Sequence, residues 1–219
     1  MGNSVQTMVM TVQVELQDPT GIRWSATEII GHLSAAATEI VIARPDSNAV
    51  HSTFAPAVGA LQELPASAVA FIDIAGNAGG KKQNITRVDK AVLDAIQPKW
   101  QSAQPVAEIQ HFCIDPNIPR TFYLYPPASS AARIDLITAD APTAIPQPAG
   151  DGKAWTTASG SFPLRSEFTE AAIQFALFKC WSKDAEFGGN ASLAASHFSL
   201  FQQALGIQRV AATSVASTK

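Results

Sequence analysis

Charge is what this chain has least of: 15 Lys+Arg and 18 Asp+Glu make up 15% of 219 residues and leave a formal net charge of −3. Soluble domains ordinarily carry roughly 25%. Without a basic surplus, counterion release from nucleic-acid phosphates cannot drive tight binding, which excludes a general DNA-binding protein. Cysteine is almost absent as well. Cys113 and Cys180 lie far apart in apolar settings, and no Cys-x-x-Cys occurs. A disulfide framework or thiolate metal site needs more cysteines at close spacing, so the two read as buried thiols of a reducing compartment. No basic residue precedes Arg23, and the run over 5–16 is too short and too polar to span a membrane. The expectation is a product made in the cytoplasm, with no membrane partner.

What replaces charge is alanine, 38 residues or about 17% of the chain. So many small residues with so few charges imply either surface hidden in an assembly or a lineage with high alanine usage. At 47% hydrophobic residues the chain can bury a sizeable core as one large domain or two small ones.

Helices are predicted at both ends and strands between them. Over 5–16, Met8, Met10, Val12, Val14 and Leu16 alternate as in a strand, while Val5, Met8, Val9, Val12 and Leu16 also fit one helical face. Asp18-Pro19-Thr20-Gly21 is a turn. Ser25-Ala26-Thr27-Glu28 is a capping box, followed by Ile29, Ile30, Leu33, Ala36, Ala37, Ile40 and Val41 at helical spacing, with Arg44-Pro45 as the stop. From 46 to 165 Pro and Gly separate β-type runs over 50–54, 69–74, 109–114, 121–125 and 133–137. The turn Asp115 to Pro119 makes 109–114 and 121–125 a hairpin. One helix over 88–96 carries Val88, Val92, Leu93 and Ile96 on one face, and 142–152 reads as an extended loop with little core to hold it. Ser166 and Asn190 open the two arms of a helical hairpin, each roughly 24 Å long. Past the helix-ending Gly206 the chain is Ala, Ser, Thr and Val with two cations. That composition cannot bury itself, so the segment is expected to order on a partner.

No pattern for catalysis, a metal or a cofactor emerges. His32, His51, His111 and His197 stand apart, without a second ligand at metal spacing. Gly76 to Lys82 has only three residues between Gly76 and Gly80, and Lys82 occupies the place of the magnesium-binding Ser or Thr, so it is a glycine-rich hairpin tip rather than a phosphate loop. Ser159-Gly160-Ser161 lacks the glycine that a nucleophile elbow requires. Asp73, Asp94, Asp115 and Asp135 fall in different predicted elements, which argues against an acid/base pair.

One set of motifs does stand out by its order. Arg23-Trp24-Ser25 runs into Glu28-Ile29-Ile30, then Glu39-Ile40-Val41 and Ala43-Arg44-Pro45-Asp46. Leu64-Pro65 follows, then Arg87-Val88-Asp89-Lys90 with Leu93-Asp94, and Pro98-Lys99-Trp100. Asp115-Pro116 precedes Thr121-Phe122-Tyr123-Leu124-Tyr125-Pro126-Pro127, and Ser182-Lys183-Asp184-Ala185-Glu186 precedes Asn190. In this order, over roughly residues 5–206, the chain resembles the head-to-tail adaptor (connector) proteins of tailed bacteriophages.

The resemblance implies a non-enzymatic virion protein of the neck. It would form a dodecameric homo-oligomeric ring that docks on the portal protein, receives a tail or nozzle protein, and lets DNA pass without specific binding. The implied fold is α+β: a four-helix bundle formed by both chain ends, an inserted β-rich lobe and a flexible C-terminal tail. In this sequence that corresponds to an adaptor domain over 1–206, with helices in 1–45 and 166–206 around a lobe over 46–165, and a tail over 207–219. It tips 5–16 toward helix. In the tail, Val210 and Val215 would enter portal grooves while Arg209 and Lys219 meet acidic groups. A ring of twelve chains at −3 each would repel rather than retain phosphates in its channel. Two other readings remain at this stage: another neck component, such as a head-closure or tail-completion protein, and a small cytoplasmic hydrolase.

Overall fold

The computed structural model describes residues 4–79, 84–183 and 189–206. Among them are five α-helices: α1 (Val5–Glu15), α2 (Ala26–Ala43), α3 (Lys90–Ile96), α4 (Thr169–Lys183) and α5 (Asn190–Ala204). The seven strands are β1 (Ala49–Phe54), β2 (Gly59–Glu63), β3 (Ala68–Asn77), β4 (Thr86–Arg87), β5 (His111–Ile114), β6 (Thr121–Ala128) and β7 (Ile134–Asp140). The chain divides into two compact units, Met1–Ser47 with Pro142–Lys219, and Asn48–Ala141.

The first unit is helical. The ambiguous N-terminal run is helix α1, which buries Val5, Met8, Val9 and Val12. Helix α2 starts as its capping residue requires, the Ser25 hydroxyl accepting the N–H of Glu28 at 3.2 Å. It buries all seven stripe residues from Ile29 to Val41. Withdrawing each of its large aliphatic side chains from water contributes about 1.5–3 kcal/mol. A short 3-10 turn at Ser166–Phe168 leads into α4, which buries eight of its fifteen residues. On α5 only Ala194 and Phe201 are buried, with Leu205 just beyond its end. Phe175 meets Phe201 at 5.1 Å and Phe178 meets Phe198 at 4.9 Å between ring centroids, which joins α4 to α5.

The expected four-helix bundle of both chain ends is therefore corrected. In a bundle each helix buries a seam against two neighbours. Here α5 buries a stripe one residue wide, against α4, and α1 packs on the 3-10 turn Trp155–Thr157 as well as on α2 and α4. The architecture is α+β with two sheets and a large β part.

The second unit is a two-sheet sandwich. One sheet has the order β1-β7-β3 and the other β2-β6-β5-β4; all pairs are antiparallel except β4 with β5. Alternation along the strands sets the two faces. Phe112, Phe122 and Leu124 project into the space between the sheets, against Ile74, Ile134 and Leu136 of the other sheet. Phe71 bridges Phe112 at 5.5 Å and Phe122 at 5.3 Å. The intervening residues Cys113, Tyr123 and Tyr125 face the opposite way, into a second, smaller core with Trp100 and Leu93. The expected hairpin of β5 and β6 forms in antiparallel register, Phe112 opposite Leu124. Helix α3 differs from expectation: only Leu93 is buried, while Val92 and Ile96 are 48% and 77% exposed. A seven-residue helix has two turns, and the Leu93 side alone reaches the sheet.

Candidate functional site

In the helical unit the loop over 142–165 is held by polar groups. Gln13 is fully buried on α1. Its Nε2 donates to the carbonyls of Trp24 and Lys153, both at 2.8 Å, and its Oε1 accepts the Trp155 N–H at 2.9 Å. All three of its strongest hydrogen-bonding capacities are met without water, which is what makes a buried amide tolerable. The N–H groups of Ala26 and Thr27 add bonds to the Lys153 and Gly152 carbonyls. Gly21 is required at this crossing: φ is +68°, and a Cβ there would lie 2.0 Å from the Lys153 oxygen. The weakly held loop expected over 142–152 is thus clasped, with Ile145 buried beneath it.

Asp18 organises the turn before α2. Its carboxylate accepts the N–H groups of Ile22, Arg23 and Trp24 at 3.0, 2.7 and 2.8 Å. Burial pushes its pKa up, but the three backbone donors outweigh burial and hold the carboxyl below its ordinary value. Nearby, the Lys183 ammonium donates to Glu28 at 2.7 Å and lies 5.2 Å from the centre of the Trp24 ring. The Glu28 half of the expected capping box thus serves to tie α2 to the end of α4.

The motif Arg44-Pro45-Asp46 lies beside the end of α5. The Arg44 guanidinium grips Asp46 through two bonds of 2.8 Å, and its remaining nitrogen donates to the Leu205 carbonyl at 2.9 Å. The hydrogen bonds that Arg44 donates to Asp46, then the charge of that carboxylate, raise the Arg44 pKa. Arg44 and Arg165 both lie over the Phe168 ring, at 5.9 and 5.6 Å. Gly206, at φ +66°, closes α5 by donating its N–H to Gln203. The end of α5 is therefore held at Leu205 and Gly206. Arg209, Val210, Val215 and Lys219 themselves lie outside the described residues, as do Gly80, Lys81 and Lys82 of the glycine-rich tip.

In the sandwich unit the motifs from Arg87 to Pro116 converge. Arg87, Asp89, Lys90, Asp94, Asp115 and Pro116 line an open groove of about 580 Å³. Asp94 is its organiser, accepting the Trp100 indole N–H at 2.8 Å and the Lys90 ammonium at 2.9 Å. The indole bond and then the lysine hold its carboxyl below the usual range. Trp100 has no exposed surface and sets its ring edge-on to Tyr123 and Tyr125 at 5.8 and 6.3 Å. Asp89 caps α3 through the Ala91 N–H at 2.8 Å, and Asp115 accepts the Asn117 N–H at 2.9 Å. These carboxylates bond to the backbone, to Trp100 and to Lys90. Asp73 and Asp135 lie elsewhere, on β3 and β7 of the other sheet. The Cys113 thiol behind the groove is pushed up to about 11 by burial, so it stays protonated and poorly nucleophilic.

Several of the other candidates are engaged in the fold. Gly160 accepts the Val5 N–H, and Ser161 bridges to Ser4, so the 159–161 stretch anchors α1. His197 pairs with Gln174 at 2.7 Å between α5 and α4, His111 stacks on Tyr125, and His51 is exposed on β1. Among the described residues no group of three His, Cys, Asp or Glu is placed to hold a metal. The residues that sequence reasoning missed include the buried amides Gln13, Gln62, Asn77 and Gln174. Gln13 had a signal, since it interrupts the apolar face of α1. Asn77 had none, because its bonds to the Ile109 backbone at 2.8 and 2.9 Å cross 32 positions of sequence.

Both sets of motif residues are thus built into the fold of their own unit. No curated protein matches the chain. A family model described as SU10 adaptor protein matches residues 3–218, essentially the whole chain. With motifs from Arg23 to Asn190 in adaptor order, and that match from end to end, the chain belongs to the SU10 adaptor family of phage head-to-tail adaptors.

Proposed function

We propose that the protein assembles into a dodecameric ring in the virion neck, docks on the portal protein through residues 207–219, and receives a tail or nozzle protein. Residues 1–206 are the adaptor body in this reading. The full-length family match carries it, and the root at Arg44 and Leu205 supports a tail that is presented from a fixed point. Arg209 and Lys219 meet acidic groups of the portal while Val210 and Val215 fill apolar grooves, each ordering the tail as it binds. The net charge of −3 per chain suits a channel that DNA crosses without being retained. The role is structural, without a catalytic step.

The test mixes the full-length protein with purified portal rings and images the particles. Twelve copies on one portal face are expected, with binding lost on deletion of 207–219. No complex from either form overturns the adaptor reading. Undiminished binding by the deletion variant overturns the tail alone.

A further inference from the structure

The end of α4 meets α2 at a carboxylate with two claimants. The Oε1 atom of Glu28 accepts the Lys183 ammonium at 2.7 Å, and Nε2 of His32 stands 3.8 Å from the same oxygen. That ring nitrogen is buried and has no hydrogen-bond partner among the described residues. A neutral imidazole tolerates such a place at the cost of one unmet group, but a buried ionised donor has to find an acceptor. Glu28 lies one helical turn before His32, in the i to i+4 order in which an acidic residue and a following cation pair well. Lys183 reaches Glu28 from another helix, on a long side chain that is 57% exposed and loses rotamer freedom when it is held.

The charges that act on His32 come from both helices: Glu28 on its own, Lys179 and Lys183 on α4. Burial above all keeps the ring neutral, against the pull of Glu28 and with the help of the two lysines. Helix α1 and the loop at 151–153 also touch α2, but their charges, Glu15, Asp151 and Lys153, are outside this group.

We infer that this cluster is an acid-operated catch: when His32 takes up a proton, Glu28 turns to it and lets go of Lys183, and the last turn of α4 loosens from α2. Protonation makes both ring nitrogens donors, so Nε2 then offers an N–H to Glu28. Closing the gap to hydrogen-bond length takes a side-chain movement of about 1 Å. Two forces act in the same direction. A pair within α2 replaces the pair between helices, and the new imidazolium repels Lys179 and Lys183. The element with two settings is the Glu28 side chain, and the proton selects between them. Nothing in this catch depends on the ring or on the portal.

The test compares full-length wild type with His32→Gln and Glu28→Gln between about pH 8 and pH 5. The His32 ring is titrated by NMR. Amide hydrogen exchange is followed over 179–183, corrected for the intrinsic effect of pH on exchange and referenced to the middle of α2. In wild type, exchange over 179–183 is expected to rise about threefold as His32 titrates. His32→Gln is expected to show no such rise. Glu28→Gln is expected to start from the faster exchange and to titrate His32 at lower pH. A rise that persists in His32→Gln, no rise while His32 titrates, a His32 ring that stays neutral throughout, or an unchanged His32 titration in Glu28→Gln overturns the catch. If His32→Gln does not fold by circular dichroism, Lys183→Ala takes its place: exchange already raised at the higher pH and flat in acid supports the catch, and a wild-type response to acid overturns it.

Discussion

The helical unit and the sandwich unit solve the same problem, closing a core with few charges, in opposite ways. The sandwich is continuous in sequence, and its strands alternate so regularly that one face of β5 and β6 fills the main core while the other meets Trp100. The helical unit joins two stretches separated by the whole sandwich. Its helices α1 and α2 pack on α4 across that join, and polar groups also cross it: Gln13 to Lys153 and Trp155, Arg44 to Leu205, Lys183 to Glu28. Apolar contacts are non-directional and tolerate sliding, whereas hydrogen bonds fix register. A unit assembled from distant segments has more need of the second kind.

That contrast can be broken from either side. The largest effect belongs to the sandwich: Trp100→Ala removes a fully buried indole and one of the two donors to Asp94, and is expected to destabilise that unit by about 3–5 kcal/mol. Denaturant unfolding followed through Tyr and Trp fluorescence reads it; a loss under about 1 kcal/mol would mean that the small core contributes little. Next comes Gln13→Leu, nearly isosteric but removing the side-chain partner of the Trp24 carbonyl and the Trp155 N–H and leaving the Lys153 carbonyl with the Ala26 N–H alone. A loss of about 3 kcal/mol is expected, with amide exchange rising at Trp155 and not in β5 or β6. If Gln13→Leu is neutral, apolar packing rather than the polar clasp joins the two segments.

Asp18→Ala follows, at about 2 kcal/mol for a charged acceptor of three backbone donors. Its carboxyl is held below the ordinary value in the folded chain, so its stabilisation is full above the unfolded pKa and is lost as pH falls through the folded one. Wild-type melting temperature should therefore drop in acid, below about pH 4, more steeply than that of Asp18→Ala. The smallest effect is at His32, whose pKa is lowered by burial first, against the pull of Glu28 and with the help of Lys179 and Lys183. A histidine kept neutral by the fold destabilises it as pH falls through the unfolded value near 6.5. Between pH 8 and pH 5.5 a loss under about 1 kcal/mol is expected, and His32→Gln should flatten that part of the profile.

Helix α2 was legible to the residue, because its cap and stripe are local: Ser25 and seven apolar positions specify where it starts and which face it buries. Five of the strands were legible from β-branched and aromatic runs. Strands β2 and β4 were not, because Gly59–Glu63 and the two residues Thr86–Arg87 lack any such run and exist through pairing with β6 and β5. The candidate groove divided in the same way. Its motifs could be read in order along the chain, but nothing in Arg87-Val88-Asp89-Lys90 says that Asp94 will hold both Lys90 and the Trp100 indole.

By itself the sequence determined the helices, most strands, the poverty in charge and the family, since each depends on residue types and spacings within short windows or on their order along the chain. Only the tertiary structure decided that the terminal helices do not form a bundle and that the loop over 142–165 is clasped by Gln13. Those outcomes depend on which surfaces meet across a hundred or more positions, and local periodicity gives an apolar stripe its direction without naming what will cover it.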